Sequence, residues 1–134
     1  MGNSQNTDAI LMLDDELDIV NIFTRALQQQ GFRVIGFTEP MLALDHFQKN
    51  FDLYSLVISD IRMPVMDGYE FIKRVKEIKR DVKVFFMSAY LSDDIQYRTG
   101  LPSVTVDEYI EKPISINHFI SLVKKYFLTT GAGA

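Results

Sequence analysis

The chain has 134 residues, 47% hydrophobic and 24% charged, the size and balance of one compact globular domain rather than a disordered or membrane-embedded segment. Lys and Arg number 14 against 18 Asp and Glu, a net charge of −4, so there is no broad cationic face to neutralise a nucleic-acid backbone. With no cysteine, disulfides, thiolate catalysis and Cys-based zinc sites are excluded, and no apolar run approaches the roughly 18 to 20 residues that cross a bilayer.

Residues 1–7 read as a flexible leader: Gly2 is placed as in a myristoylation signal, but Asn6 stands where Ser or Thr is required. Ala9 to Leu13 is an unbroken apolar run and predicts a first, fully buried strand. A helix is expected from about Glu16 to Gln30, with Leu17, Val20, Phe23 and Leu27 on one stripe and Gly31 as its stop. Phe32 to Phe37 predicts a second strand. Thr38 is then the expected N-cap, with Pro40 in the first turn of a helix that runs to about Asn50 and turns Ala43, Leu44 and Phe47 inward.

Leu56 to Ser59 is the third predicted strand. The loop from Asp60 to Asp67 contains Met63-Pro64, and Pro64 keeps the next helix from starting before about Gly68. That helix directs Phe71, Ile72, Val75 and Ile78 inward. Val82 to Ser88, rich in β-branched and aromatic residues, is the fourth strand. The pattern is weakest from Ser92 to Val106, where a short helix at Asp93 to Arg98 runs at once into Gly100 and Pro102. Tyr109 and Ile110 mark a fifth strand. Ser115 caps a last helix carrying Ile116, Phe119, Ile120, Val123 and Phe127 at helical spacing, and residues 129–134 are expected to form a flexible tail or truncated linker.

Short apolar runs alternating with helical segments predict an α/β fold: a five-stranded parallel sheet with helices on both faces, doubly wound, in one domain over residues 8–128, with a short or irregular fourth helix. In such a sheet the site lies at the carboxyl ends of the strands. Asp14 and Asp15 follow the first strand, Asp60 the third, Ser88 ends the fourth and Lys112 follows the fifth. Three carboxylates crowded together repel and raise one another's pKa unless a cation sits among them. Oxygen ligands without His or Cys favour a hard divalent ion, Mg²⁺ first, with Mn²⁺ expected to substitute. Asp60, ending a buried strand and opening a loop, is the best-placed nucleophile, with Lys112 and Ser88 able to meet the charge of a transferred phosphoryl group.

Asp14-Asp15, Asp60 with Met63-Pro64 and Asp67-Gly68, Ser88-Ala89 and Lys112-Pro113 together resemble the response-regulator receiver family (CheY-like) of two-component signal transduction, from about Ile10 to Phe127. The resemblance implies a flavodoxin-like strand order 2-1-3-4-5 and phosphorylation at Asp60. It implies that Asp15 and Asp60 bind Mg²⁺ directly, that Asp14 acts largely through water and that Arg62 gives its backbone carbonyl. Ser88, Ala89 and Lys112 would bind the phosphoryl group, Ser88 and Tyr109 would form the switch, and the Lys112-Pro113 peptide would be cis. The donor would be a sensor histidine kinase or phosphotransfer protein, the reader a downstream effector domain or protein, and the location cytoplasmic, with homodimerisation on activation left open. Arg62 and Tyr90 occupy positions that tune water access in this family, and both are bulky here, which predicts slow self-hydrolysis. Gly100-Leu101-Pro102 interrupts the stretch before the fifth strand, a departure that bears on the usual output surface.

Each of these residues has an ordinary reading taken singly. An acidic pair after an apolar run is commonly a helix start stabilised by the dipole, and an aromatic residue such as Tyr109 on a sheet edge is usually packing. The set placed after four strands is what carries the argument. His46 and His118 are expected at surface or boundary positions, and Met63 and Met66 in loop packing. An Asp-nucleophile phosphohydrolase is the main alternative; it usually needs a second acid two residues beyond the nucleophile, where Arg62 stands. A docking module with an unused pocket also remains. A flavin site is disfavoured because Asp14 and Asp15 would repel a phosphate.

Overall fold

A computed structural model describes residues 8–97 and 104–129; the expected leader, most of the expected tail and part of the Ser92 to Val106 stretch lie outside the described residues. The elements in chain order are β1 (Ala9–Leu13), α1 (Leu17–Gln29), β2 (Val34–Phe37), α2 (Pro40–Asn50), a 3₁₀ turn (Phe51–Leu53), β3 (Tyr54–Asp60), α3 (Gly68–Ile78), β4 (Lys83–Ser88), α4 (Leu91–Tyr97), β5 (Glu108–Glu111) and α5 (Ile116–Thr129). The strands form one parallel sheet in the order β2-β1-β3-β4-β5, as expected.

Alternation along each strand sends side chains to opposite faces and divides the core in two. Leu11, Leu13, Val57, Val84 and Phe86 meet Ala43 and Phe47 of α2 and Phe71, Ile72 and Val75 of α3. Ile10, Met12, Leu56, Ile58, Phe85 and Met87 meet Phe23 and Leu27 of α1 and Phe119 and Val123 of α5. The apolar runs are therefore near-continuous because both faces are covered. Among the described residues no helix is long and apolar enough to cross a membrane.

Several local expectations need correction. Thr38 is not the cap of α2: Glu39 holds that position, with no side-chain cap bond, and Pro40 with its preset φ starts the helix. Leu17 does not join the buried stripe; it lies in the first turn of α1 and is 60% exposed, whereas Val20, Phe23 and Leu27 are buried. β2 starts at Val34 rather than Phe32, because the end of α1 claims the preceding residues. Gly31 (φ +97°) donates to Gln28 O at 3.0 Å and Phe32 donates to Leu27 O at 3.2 Å. β3 begins earlier than predicted, at Tyr54, a fully buried residue whose hydroxyl shares a 2.6 Å hydrogen bond with Nε2 of the half-buried His46. Burial pushes Tyr54 up to about 12. Ser115 caps α5 as expected, its Oγ accepting from His118 N–H at 3.0 Å.

Candidate functional site

Register brings the site together. Leu13 pairs with Ser59, Asp60 with Met87, and Ser88 with Glu111, so Asp14, Asp60, Ser88 and Lys112 stand at nearly the same level along one rim. Carboxylate oxygens of Asp14, Asp15 and Asp60 all lie within 4.8 Å of one another. Asp14 is fully buried; one oxygen accepts from Glu16 N–H at 2.9 Å and the other from Lys112 Nζ at 2.8 Å. Asp60 Oδ1 accepts from Ile61 N–H at 3.0 Å and lies 3.4 Å from Lys112 Nζ. Asp15, unlike the other two, is exposed. The Lys112-Pro113 peptide is cis, and Lys112 N–H is tied to Ser88 O at 2.9 Å, which anchors the base of the side chain at β4.

The loop from Asp60 to α3 is held by its own turn chemistry. Asp67 caps α3 by accepting from Glu70 N–H at 2.9 Å, and Gly68 N–H bonds Ile61 O at 2.7 Å. A Cβ at Gly68 would meet Asp60 O at 2.3 Å and Ile61 Cα at 2.9 Å, both backbone atoms that cannot swing aside. Gly68→Ala is therefore expected to destabilise the protein by about 1–3 kcal/mol in urea denaturation, and to disturb the Asp60 backbone more than the rest of the sheet in amide spectra.

The electrostatics follow from burial. Asp60 is pushed up to about 7, first by burial, then by the charge of Asp14 and the neighbouring Asp15, against the opposing pull of Lys112. Burial pushes Lys112 down, but the hydrogen bond to Asp14 and the charges of Asp60 and Asp14 outweigh it and hold the ammonium above its ordinary value. One ammonium against the three clustered carboxylates leaves two negative charges when all are ionised, the amount one divalent cation cancels; the exposed Glu16, 3.8 Å from the same ammonium, adds a solvent-screened charge at the edge. This oxygen-only donor set fits a hard ion.

Ser88 is buried, and its hydroxyl donates to Asp94 Oδ2 while accepting from Tyr90 N–H at 2.9 Å. Arg62 Nε pairs with Asp94 Oδ1 at 2.9 Å, and the Arg62 guanidinium lies over the Tyr90 ring at 4.4 Å. The two positions expected to tune water access thus touch each other. Ala89 is exposed beside Ser88, and Tyr109 is half-buried with its ring 6.1 Å from that of Phe86. Asp94 has no role in the sequence reading, since an acidic pair in a first helical turn is ordinary; its burial is visible only in three dimensions. Met66 is buried in the core and Met63 packs against it, as loop packing predicts.

The model for the response regulator receiver domain matches residues 10–124. The chain belongs to this family. As a receiver domain it is related to the response regulator SaeR of Staphylococcus aureus, 30% identical over 125 residues that cover 87% of this chain and 52% of SaeR. The chain therefore spans about half the length of the curated relatives it matches. Among solved structures it is similar to the response regulator TrrA of Thermotoga maritima, crystallised in complex with Mg(2+)-BeF, at 32% identity and a TM-score of 0.73, covering 88% of this chain and 97% of that one. Chemotaxis protein CheY4 of Vibrio cholerae shares the fold at 23% identity and a TM-score of 0.75, over 89% of this chain and 98% of its own. The receiver domain thus carries an acidic cluster at the rim where this fold places its site.

Proposed function

We propose that this receiver domain accepts a phosphoryl group on Asp60 from a histidine kinase or phosphotransfer protein, in a reaction that depends on Mg²⁺. The observation that carries the reading is the buried Asp60, 3.4 Å from the Lys112 ammonium and within 4.8 Å of the Asp14 and Asp15 carboxylate oxygens. An Asp60 oxygen bonds to phosphorus as the P–N bond to the donor imidazole breaks, and the departing imidazole takes up a proton. The product is an acyl phosphate, whose oxygens the Lys112 ammonium would meet, joined in the switched state by the Ser88 hydroxyl and the Ala89 backbone N–H. Asp14, Asp15, Asp60 and the Arg62 carbonyl would hold the divalent ion, Mn²⁺ substituting for Mg²⁺. When bound, the ion neutralises charge on the transferring group.

Ser88 and Tyr109 form the switch in this reading: the hydroxyl moves to the phosphoryl group, and the half-buried Tyr109 ring follows inward to alter the surface an effector reads. In this reading the two bulky residues Arg62 and Tyr90, stacked on each other, limit water access to the phosphoryl group and slow hydrolysis. The domain spans residues 8–128 and works in the cytoplasm as a signalling module rather than an enzyme acting on external substrates. The hydrolase reading loses ground because Arg62, at the place of the second acid, is engaged with Asp94.

Incubation with acetyl phosphate and Mg²⁺ followed by intact mass tests the proposal. One phosphoryl increment is expected on the wild type, none on Asp60→Asn and none in the presence of a chelator. Turnover of added phosphoesters without an adduct would refute it.

A further inference from the structure

We propose that Asp94 is a positioning residue that withholds Ser88: its carboxylate competes with the phosphoryl group for the single proton of the Ser88 hydroxyl. The inference rests on the acceptor role of Asp60. Asp94 is 6% exposed in the first turn of α4 and lies outside the metal cluster. Its Oδ2 takes the Ser88 proton, its Oδ1 takes Arg62 Nε, its N–H donates to Tyr90 O at 2.9 Å and its carbonyl accepts from Tyr69 at 3.3 Å. The Ser88 oxygen meanwhile accepts from Tyr90 N–H, so its lone proton is spent on Asp94 and cannot also reach a phosphoryl oxygen.

A hydrogen bond to a charged acceptor is among the stronger neutral-donor contacts, and this one is buried. The rotamer of Ser88 that serves the phosphoryl group therefore carries the cost of leaving a buried carboxylate with one donor fewer. The tie has a second end. Arg62 belongs to the loop after Asp60, so the bridge Arg62–Asp94–Ser88 joins the β3–α3 loop, the end of β4 and α4. Breaking it at Ser88 leaves Asp94 with the Arg62 pair but without its Ser88 donor, which couples the chemistry at Asp60 to α4 by differential contacts in two states.

The test is the affinity for Mg²⁺ with beryllofluoride, a phosphoryl mimic, measured by calorimetry and ¹⁹F spectra on four proteins: wild type, Asp94→Ala, Ser88→Ala and the double variant. With Ser88 present, Asp94→Ala is expected to tighten binding about tenfold. In the Ser88→Ala background the same change should matter within roughly twofold. Equal tightening in both backgrounds would mean that Asp94 acts only through its charge and would overturn the proposal, as would unchanged or weaker binding in Asp94→Ala. Should Asp94→Ala fold poorly, Asp94→Asn, which keeps the shape with a weaker acceptor, must show the same sign and the same dependence on Ser88. Binding by Asp94→Ala alone would support the latch. Binding by neither protein would overturn the acceptor reading of Asp60 and the latch with it.

Discussion

In the absence of divalent cations at pH 8, Asp60→Asn is expected to be more stable than the wild type by roughly 4 kcal/mol, and the difference should vanish below about pH 4. Asp60 rises from 3.8 to about 7 on folding, through burial first and the Asp14 charge second. Between these values the unfolded carboxyl has lost its proton while the folded one keeps it, so unfolding releases a proton. Stability contributed by the neutral form is present below the unfolded pKa and lost as the pH rises through the folded one. Asn is neutral throughout and keeps the shape, so its urea-denaturation midpoint should lack this slope. Saturating Mg²⁺ should remove the penalty from the wild type too, stabilising it far more than Asp60→Asn. Parallel pH profiles for the two proteins would contradict the account.

Lys112→Met is expected to cost about 3–5 kcal/mol in the metal-free protein at pH 8, because it strips the counter-charge from two buried carboxylates. The Lys112 side chain is 14% exposed and its Nζ lies 2.8 Å from Asp14 and 3.4 Å from Asp60. Its folded pKa is above the ordinary 10.5, so the ammonium is charged at pH 8 and its contribution, complete below the unfolded pKa, is lost only in strong alkali. Methionine keeps most of the stem's packing, which makes charge the variable. Adding Asp14→Asn or Asp60→Asn to Lys112→Met should recover part of the loss, a coupling that double-mutant denaturation measures directly. Magnesium should restore stability in part but leave phosphoryl incorporation from acetyl phosphate reduced by about 10²–10³-fold, since the ammonium also faces the transferring oxygens. Additive losses in the double variants would break the argument.

The sheet and its strand-end acids were legible because both depend on patterns a linear chain displays. A strand buried on both faces is an apolar run, as Ala9–Leu13 shows, and a residue just past such a run stands on the rim. Ends of elements were less legible. Thr38 has the chemistry of a cap, yet the chain passes it and starts α2 on Pro40, and Leu17 has the spacing of a core residue but sits in the first turn. Asp94 illustrates what spacing cannot carry: its partners Arg62 and Ser88 belong to other elements, and only packing decides which of the neighbouring carboxylates, Asp93 or Asp94, turns inward.

Pairing of Ser88 with Glu111 has one more implication. Were β5 to anneal out of step by a single position, pleating would turn its side chains over, and either an anion or a ring with no charge would arrive where the cation is needed. The acids of β1 and β3 would then stay mutually repelled, and so the same electrostatics that would receive a signal also penalise a misassembled sheet.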